Sequence, residues 1–545
     1  MAASYSRYEP SPRTERLLWA LVAVGVGLRL WQYLADTSMW FDELSIARNI
    51  TERSLGQLLT QPLGYEQTAP LGFLVMLKIS STLLGSSDMS LRLFPFLCGI
   101  ASVFVFWRVA ERTLSGSAVP VAVALFALSA PLIRYSTELK QYGSDVLIIL
   151  LLTLIGVSLC TRTPTVWECV RAGLLGAVTI LFSQSAVLVL AGIGAALTLR
   201  YVFRHRELPR RIVLVTVPIW ACAAVVGLLS ARHFMTAHTM EFMHWFWRTR
   251  LGFLPLPATA SSFAIWTRDR FAQFFDAMSG YPLPLVYTAL MVAGFIVLWR
   301  RRDVALIILA PILVTFAAAV AQQYPFRMRV VLFLLPSLLI AAAAAVGWII
   351  DRAYGISRPL GAAIAVAAMI PPVTATALKP PPYTAEPFKP ILAYVQAHRQ
   401  PGDRVYVYSN TYQAISRYGA LYGMPVGTYD LGTCDESSTG PFLVDVDRYR
   451  GAKRLWVISS SVPDWRPARQ AIGKYLRTIG VARDSFQRVS VPPMDPVSAE
   501  LFDLSDTIRL KSASAASSAV KADTLHPLCF AWVYPTPHEG DSLPR

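Results

Sequence analysis

Two adjacent acids, Asp42 and Glu43, follow the first long apolar stretch of the chain, within Trp40-Phe41-Asp42-Glu43. Carboxylates at the mouth of a membrane span are costly to bury, so they mark places where chemistry or ion binding requires them. A carboxylate there can act as a general base on an acceptor hydroxyl or amine, or it can hold a divalent metal. The alternative is structural, because acids favour the first turn of a helix and Leu44–Ile50 follows the pair. Position alone does not separate the two interpretations.

A second polar cluster lies between two apolar stretches and is called the polar island here, residues 134–142. It contains Arg134, Tyr135, Glu138, Lys140 and Tyr142. Three charges are too many for a plain turn at bilayer depth. The island therefore favours a binding role over an interfacial loop with a tyrosine anchor.

A third cluster, Tyr324, Arg327 and Arg329, precedes a late apolar stretch. Arginine is suited to bidentate binding of phosphate. In the topology derived below, both arginines fall on the outer side of the membrane, against the usual distribution of positive charge, and a bound phosphate would explain them. The alternative is that they snorkel at the end of a span.

A fourth set, His238, Glu241 and His244, recurs every three residues and could share one side of a helix as a metal site. The spacing matches no established zinc pattern. An interfacial helix with ordinary histidines, next to Trp245 and Trp247, is the simpler interpretation. A divalent metal is the one cofactor that the sequence leaves open.

The elements that must position these residues belong to a polytopic membrane protein. Of the 545 residues, 54% are hydrophobic and 15% are charged, whereas a soluble protein has about 25% charged residues. The mean hydropathy is +0.45. The net charge of +16 suggests nucleic acid as a partner. The arginines, however, concentrate in short loops between apolar stretches, as in cytoplasmic loops, so no nucleic-acid partner is predicted.

These basic loops place the N-terminus in the cytoplasm. The apolar stretches predict eleven transmembrane helices plus juxtamembrane helices at the outer face. The predicted spans are Leu17–Ala35, Leu91–Ala110, Ala118–Ile133, Val146–Leu159, Ala172–Leu181, Ala186–Leu199, Ile212–Leu229, Leu285–Leu298, Val304–Val320, Val330–Ile350 and Leu360–Val373.

One apolar stretch, Ala69–Leu84, is too short for a span and contains Lys78. It is predicted to lie on, or dip into, the outer surface. With that assignment the Asp42-Glu43 pair, the polar island and the loops 231–281 and 322–329 share the outer face.

The long apolar stretches stop at Pro380-Pro381-Pro382. This linker divides the chain into a transmembrane module, 1–379, and a C-terminal domain, 380–545. Helical and strand patterns alternate after this linker, which predicts a small α/β domain on the periplasmic side. In that compartment Cys434 and Cys529 could form a disulfide. The predicted helices are Phe388–His398, Tyr412–Tyr418 and Ala468–Ile479, and the predicted strands are Arg404–Tyr408 and Arg454–Ser459.

The order of these motifs resembles the GT-C superfamily of membrane glycosyltransferases. Within it the chain is similar to the branch of protein O-mannosyltransferases, lipid A aminoarabinose transferases and bacterial lipopolysaccharide sugar transferases. The resemblance covers about residues 15–350, and the C-terminal domain more loosely. Each motif alone is a weak indication of the family. Their order and their shared location on the predicted outer side of the membrane make the set specific. The motifs are Trp40–Glu43, Gln67–Leu74, Arg92–Pro95, Tyr135–Tyr142 and Tyr324–Arg327.

The resemblance implies a sugar donor linked to polyprenyl phosphate, used at the outer face, and a lipid, glycan or protein acceptor. It implies Asp42 as the catalytic base with Glu43 beside it. Many relatives have a basic residue where this chain has Thr68-Ala69-Pro70, which removes one phosphate or acceptor contact. The implied donor and acceptor contacts are Arg134, Tyr135, Glu138, Lys140, Tyr142 and Gln67, and the implied lipid-phosphate contacts are Tyr324, Arg327 and Arg329.

The sequence thus predicts a glycosyltransferase of the bacterial inner membrane that works among membrane lipids. A transporter or lipid flippase is an alternative, and it predicts charges near the bilayer midplane and repeated halves, which the sequence does not show. A receptor or assembly protein that acts through its C-terminal domain is a third class. Deletion of 380–545 would separate that class from an enzyme whose core still binds the donor.

Overall fold

The computed structural model describes residues 8–203, 208–274, 280–433, 439–460, 466–491 and 494–506. These residues form two compact units. The helical unit takes its described residues from 1–35, 54–62 and 68–382, and the sheet unit takes them from 36–53, 63–67 and 383–545. Cys434 and Cys529, the predicted disulfide partners, lie outside the described residues.

Helices make up most of the described chain. In chain order they are α1 (Pro12–Leu34), α2 (Phe41–Glu52), α3 (Leu55–Thr60), α4 (Leu71–Leu84), α5 (Asp88–Thr113), α6 (Ala118–Leu128), α7 (Ala130–Arg134), α8 (Tyr142–Thr161), α9 (Val166–Thr179), α10 (Ala186–Phe203), α11 (Val217–His233), α12 (Ala237–Thr249), α13 (Ala260–Gln273), α14 (Pro284–Leu298), α15 (Arg302–Val320), α16 (Leu335–Ile356), α17 (Arg358–Leu378), α18 (Phe388–His398), α19 (Tyr412–Tyr418), α20 (Gly440–Asp447) and α21 (Arg466–Ile479).

Eight helical runs in the described chain are long and apolar enough to cross a membrane. One of them, Pro284–Val320, contains two predicted spans, joined by a 3-10 turn at Trp299–Arg301. Helix α4 has 14 residues, which is short for a span, as predicted. A multi-pass helical membrane protein is thereby supported, and the count of eleven spans stays a prediction. The eight runs are Pro12–Leu34, Asp88–Thr113, Tyr142–Thr161, Ala186–Phe203, Ile212–His233, Pro284–Val320, Met328–Ile356 and Arg358–Leu378.

The predicted span 118–133 is broken, because α6 ends at Leu128 and α7 begins at Ala130. The last carbonyls of a helix have no intrahelical partner, and a bilayer offers no water to bind them. Side chains from three other segments bind these carbonyls, and the break then leads through α7 into the polar island. Tyr281 Oη donates to Leu125 O, Arg29 donates to Phe126 O and Ala127 O at 3.4 Å each, and Thr376 Oγ1 donates to Leu128 O at 2.9 Å.

Replacement of Arg29 by methionine is expected to destabilise the helical unit. The Arg29 side chain is fully buried, and each carbonyl that loses its donor costs about 1–3 kcal/mol. Thermal unfolding in lipid nanodiscs, followed by tryptophan fluorescence, should show a lower midpoint. Arg108→Met is the matched control, because Arg108 is exposed and pairs with Glu111 on its own helix. Equal midpoints for the two variants would contradict the capping role of Arg29.

The sheet unit contains a five-stranded sheet in the order β2-β1-β3-β5-β4. Strand β1 is parallel to β2 and β3, and β5 is antiparallel to β3 and β4. Helix α21 packs Ile472 and Leu476 into the apolar core of the sheet beside Phe502. The small C-terminal sheet that the sequence predicted is therefore present, and the domain boundary at 380 stays a prediction. The strands are β1 (Arg404–Val407), β2 (Asp430–Leu431), β3 (Leu455–Ser459), β4 (Val481–Arg488) and β5 (Val497–Asp503).

Candidate active site

The acidic pair lies in the first turn of α2, and α2 belongs to the sheet unit. Its two acids have different surroundings. Glu43 is buried, and its Oε2 accepts a hydrogen bond from the Trp40 N–H at 3.3 Å. That bond satisfies a backbone amide that the start of a helix leaves open. Asp42 is only half-buried, so it is the acid of the pair that solvent or a ligand can reach.

Contacts with the C-terminal part of the sheet unit hold the start of α2 in place. The Met39 N–H donates to Tyr418 Oη at 2.8 Å, and the Phe41 N–H donates to Glu386 Oε2 at 2.8 Å. One turn later, Ser45 Oγ donates to Gln413 at 3.1 Å. These contacts fix the backbone on both sides of Asp42, and they join residues more than 340 positions apart in sequence.

The segment 63–67 packs on the other end of α2. Asn49 exchanges two hydrogen bonds with the backbone of Gly64, at 2.9 and 3.2 Å. Tyr65 and Glu66 have φ angles of 62° and 51°, which residues other than glycine seldom adopt. Gln67, predicted to contact the donor or acceptor, is buried and donates to Tyr65 O at 3.0 Å. Glu66 is a buried acid in this strained turn, and sequence analysis did not select it.

The polar island lies in the helical unit. Arg134 pairs with Glu138 at 3.6 Å and stacks over the Tyr135 ring at 4.9 Å. Glu138 and Lys140 are 4% and 6% exposed, although charged side chains are almost never buried to this degree without a partner. The rings of Tyr135 and Tyr142 meet edge to face at 5.4 Å. The island is thus a buried polar structure and not a solvated turn.

The segment 322–329 lies against this island. Arg329 Nε donates to Tyr142 Oη at 2.9 Å. The structure therefore brings together two clusters that the sequence separates by 187 positions. Tyr324 has a different place, since its Oη donates to Val330 O at 2.7 Å within its own segment. Burial, Asp145 and Tyr142 raise the pKa of Tyr324 well above its usual value, so this hydroxyl keeps its proton.

Arg327 belongs to a group of cations, called the arginine cluster here: Arg250, Arg270 and Arg327. Burial lowers the pKa of Arg327, and the charge of Arg250 lowers it further. Burial lowers the pKa of Arg270 to about 10, with a further contribution from Arg327. These shifts record guanidinium groups that are withdrawn from water and repel one another.

The hydrogen-bonding capacity of this cluster is not fully used. Arg270 is 3% exposed. Its Nε and Nη1, and Nε of Arg327, have no hydrogen-bond partner within the described part of the chain. The acid that acts on Arg270 is Asp269, which also accepts hydrogen bonds from Arg268 at 2.9 and 3.0 Å. Arg270 and Arg327 therefore have guanidinium N–H groups that are available to an anion.

The backbone around the cluster is tied together by two bonds. The Phe326 N–H donates to Gly252 O at 2.7 Å, and Gln322 Nε2 donates to Leu254 O at 2.7 Å. The loop that contains Arg250 is thereby joined to the segment that contains Arg327. Sequence analysis selected Arg327 and missed Arg250 and Arg270. The signal was present, because these arginines also lie in a predicted outer loop, 231–281, where positive charge is unusual.

The metal candidates His238, Glu241 and His244 are exposed on α12. The His244 ring stacks on Phe253 at 5.3 Å. Among the residues that the structure describes, no group of three or more His, Cys, Asp or Glu side chains is arranged to hold a metal ion.

Residues 68–231 match the sequence model of a family described as dolichyl-phosphate-mannose-protein mannosyltransferase. The matched segment is less than a third of the chain, and it includes the polar island but neither Asp42 nor the arginine cluster. Among curated proteins, no sequence matches this chain at a significant level.

Several solved structures resemble the chain at low identity. The apo oligosaccharyltransferase of Archaeoglobus fulgidus has a TM-score of 0.47 and 11% identity, over 86% of this chain and 73% of that one. The oligosaccharyltransferase AglB of that organism, with an inhibitory peptide and a dolichol-phosphate, has a TM-score of 0.47 and 10% identity, over 96% and 77%. ArnT from Cupriavidus metallidurans, bound to undecaprenyl phosphate, has a TM-score of 0.43 and 13% identity, over 90% and 98%.

The family match confirms the resemblance that the motifs indicated. Over residues 68–231, this chain is similar to the dolichyl-phosphate-mannose-protein mannosyltransferases.

Proposed function

We propose that this chain is a glycosyltransferase that moves a sugar from a polyprenyl-phosphate donor to a lipid, polysaccharide or protein acceptor. The observation that carries the proposal is the arginine cluster. Arg270 is buried and Arg250 and Arg327 are half-buried, and such cations are costly when they repel one another. Donors of Arg270 and Arg327 also find no partner among the residues that the structure describes. A phosphate group would accept those hydrogen bonds and offset the repulsion. The family match favours a phosphate carried by a polyprenyl lipid.

In the proposed reaction Asp42 is the general base. The acceptor oxygen or nitrogen attacks the anomeric carbon of the sugar while its proton passes to the Asp42 carboxylate. The bond from the anomeric carbon to the phosphate oxygen breaks, and polyprenyl phosphate leaves with the electron pair. The arginine cluster stabilises the charge that develops on this leaving group. A single displacement inverts the configuration at the anomeric carbon.

The remaining predicted residues have supporting roles in this proposal. Arg329 and Tyr142 link the phosphate end to the polar island. Arg134, Tyr135, Glu138, Lys140 and Gln67 orient the sugar and the acceptor. Glu43 holds the first turn of α2, because its carboxylate caps the Trp40 amide.

The proposed location is the inner membrane of a bacterium, with the N-terminus in the cytoplasm and the sheet unit in the periplasm. The basic loops between the apolar helices support this orientation. In this orientation the donor is used on the outer face, where its sugar has already been attached to the lipid and no nucleotide is required.

The function can be tested on the full-length chain in nanodiscs with a panel of undecaprenyl-phosphate sugars. Release of undecaprenyl phosphate from one donor is expected, with water as a slow acceptor when no other is supplied. Native mass spectrometry should show that undecaprenyl phosphate is retained and that undecaprenol is not. A flippase would move the lipid between leaflets without releasing the sugar. Equal retention of both lipids, with no donor cleaved, would contradict the proposal.

A further inference from the structure

The carboxylate of Glu386 joins two parts of the sheet unit that are far apart in sequence. It is 4% exposed. Its Oε2 accepts the Phe41 N–H at 2.8 Å, and its Oε1 accepts the Ser460 hydroxyl at 2.6 Å. Both oxygens are therefore engaged, and each bond joins Glu386 to a different element.

The positions of the two hydrogen-bond partners of Glu386 show which elements this contact joins. Phe41 is the first residue of α2 and precedes Asp42 in the chain. Ser460 follows β3, at the carboxyl edge that β3 shares with its parallel neighbour β1. Glu386 thus fixes the backbone beside Asp42 to the edge of the sheet. An anion that accepts a backbone N–H at a helix start is also favourably placed in the field of the helix.

The buried carboxylate carries an electrostatic cost. Burial raises the pKa of Glu386, and the charge of Asp42 contributes to the same shift. The Ser460 hydroxyl and the Phe41 amide lower it and offset part of that cost. Because Glu386 accepts the Phe41 N–H, its carboxylate lies next to the backbone that leads into Asp42.

We propose that Glu386 is a positioning residue for the general base, and that it holds the first turn of α2 so that Asp42 keeps a productive orientation. This inference rests on the proposed function only for the role of Asp42. The hydrogen bonds that carry it lie entirely within the sheet unit.

Hydrogen exchange of the full-length chain in nanodiscs tests the contact directly. In Glu386→Ala, exchange in the peptide that contains residues 39–45 should rise about tenfold or more, because a buried bond to a charged acceptor is lost. Glu386→Gln keeps an acceptor of the same length and should retain protection. Glu386→Asp keeps the charge but is one methylene shorter, so it should lose protection even if the alanine variant fails to fold.

Asp403→Ala is the matched control. Asp403 is a buried carboxylate of the same unit that accepts from Arg454 at 2.7 Å and from Trp456 at 2.9 Å. It precedes β1, at the opposite edge of the sheet from Ser460. Its loss should lower the stability of the unit without a selective rise in exchange at residues 39–45.

Sugar transfer provides the second readout. The kcat of Glu386→Ala and Glu386→Asp should fall roughly a hundredfold, as expected for a displaced catalytic group, with little change in the KM of the donor. Glu386→Gln should restore most of the kcat. Unchanged exchange in both the alanine and aspartate variants, or increased exchange with unchanged kcat, would overturn the inference. Full activity of Asp42→Asn would instead overturn the proposed function, whatever the exchange data show.

Discussion

Substitution of Asp42 by asparagine is expected to abolish measurable sugar transfer while leaving the protein folded and able to bind its donor. Asparagine has the size of aspartate but cannot accept the acceptor's proton. General-base catalysis contributes about 10²–10⁴ in rate, so kcat should fall by about that factor. The KM of the donor should change little, since its phosphate is assigned to the arginine cluster. Steady-state transfer with the donor identified from the panel measures both constants.

Asp36→Asn is the control for this experiment. Asp36 lies six residues before Asp42, and its carboxylate pairs with Lys389 at 2.8 Å. Its substitution removes a negative charge from the same segment and should leave most of the transfer activity intact. If Asp42→Asn retains activity, or if the two variants lose activity equally, Asp42 is not the base.

Substitution of Arg270 or Arg327 by glutamine is expected to weaken binding of polyprenyl phosphate about 10- to 100-fold each, because each removes hydrogen bonds from a charged donor to the phosphate. In contrast to lipid binding, the stability of each variant in the absence of lipid should not decrease. Removal of buried Arg270 or half-buried Arg327 relieves both its desolvation and its repulsion by neighbouring arginines, so the midpoint of thermal unfolding should stay equal or rise. Native mass spectrometry and thermal unfolding of the same samples measure the two effects.

Arg268→Gln is the matched control for the arginine cluster. Arg268 lies on the same helix, α13, is exposed, and pairs with Asp269 at 2.9 Å. Its loss should change neither lipid binding nor stability appreciably. A strong loss of stability in Arg270→Gln with unchanged binding of polyprenyl phosphate would identify Arg270 as a structural residue.

Local pattern was enough to predict several elements. The helices Phe388–His398 and Tyr412–Tyr418 have the predicted bounds, because each presents an apolar face at helical spacing. The short apolar segment at 71–84 is a 14-residue helix, as its length indicated. Sequence could not predict that α6 ends at Leu128, since the side chains that bind its terminal carbonyls come from distant segments of the chain.

In the candidate site, too, some features could be predicted from local sequence and others could not. Arg327 was found because a positive charge in a predicted outer loop needs an explanation, and the same reasoning extended to Arg270 would have found it too. The link between Tyr142 and Arg329 was not visible, since it joins residues 187 positions apart. The sequence also did not show that α2 belongs to the sheet unit. Two of the contacts that hold α2 in this unit are hydrogen bonds that Glu386 and Tyr418 accept from the backbone of residues 39 and 41, for which no local pattern exists.

The most direct test of the account is a cryo-electron microscopy structure of the full-length chain in nanodiscs with bound undecaprenyl phosphate. The proposed function predicts density for the phosphate within hydrogen-bonding distance of Arg270 and Arg327. Phosphate density at another place, with the arginine cluster left without an anion, would contradict it.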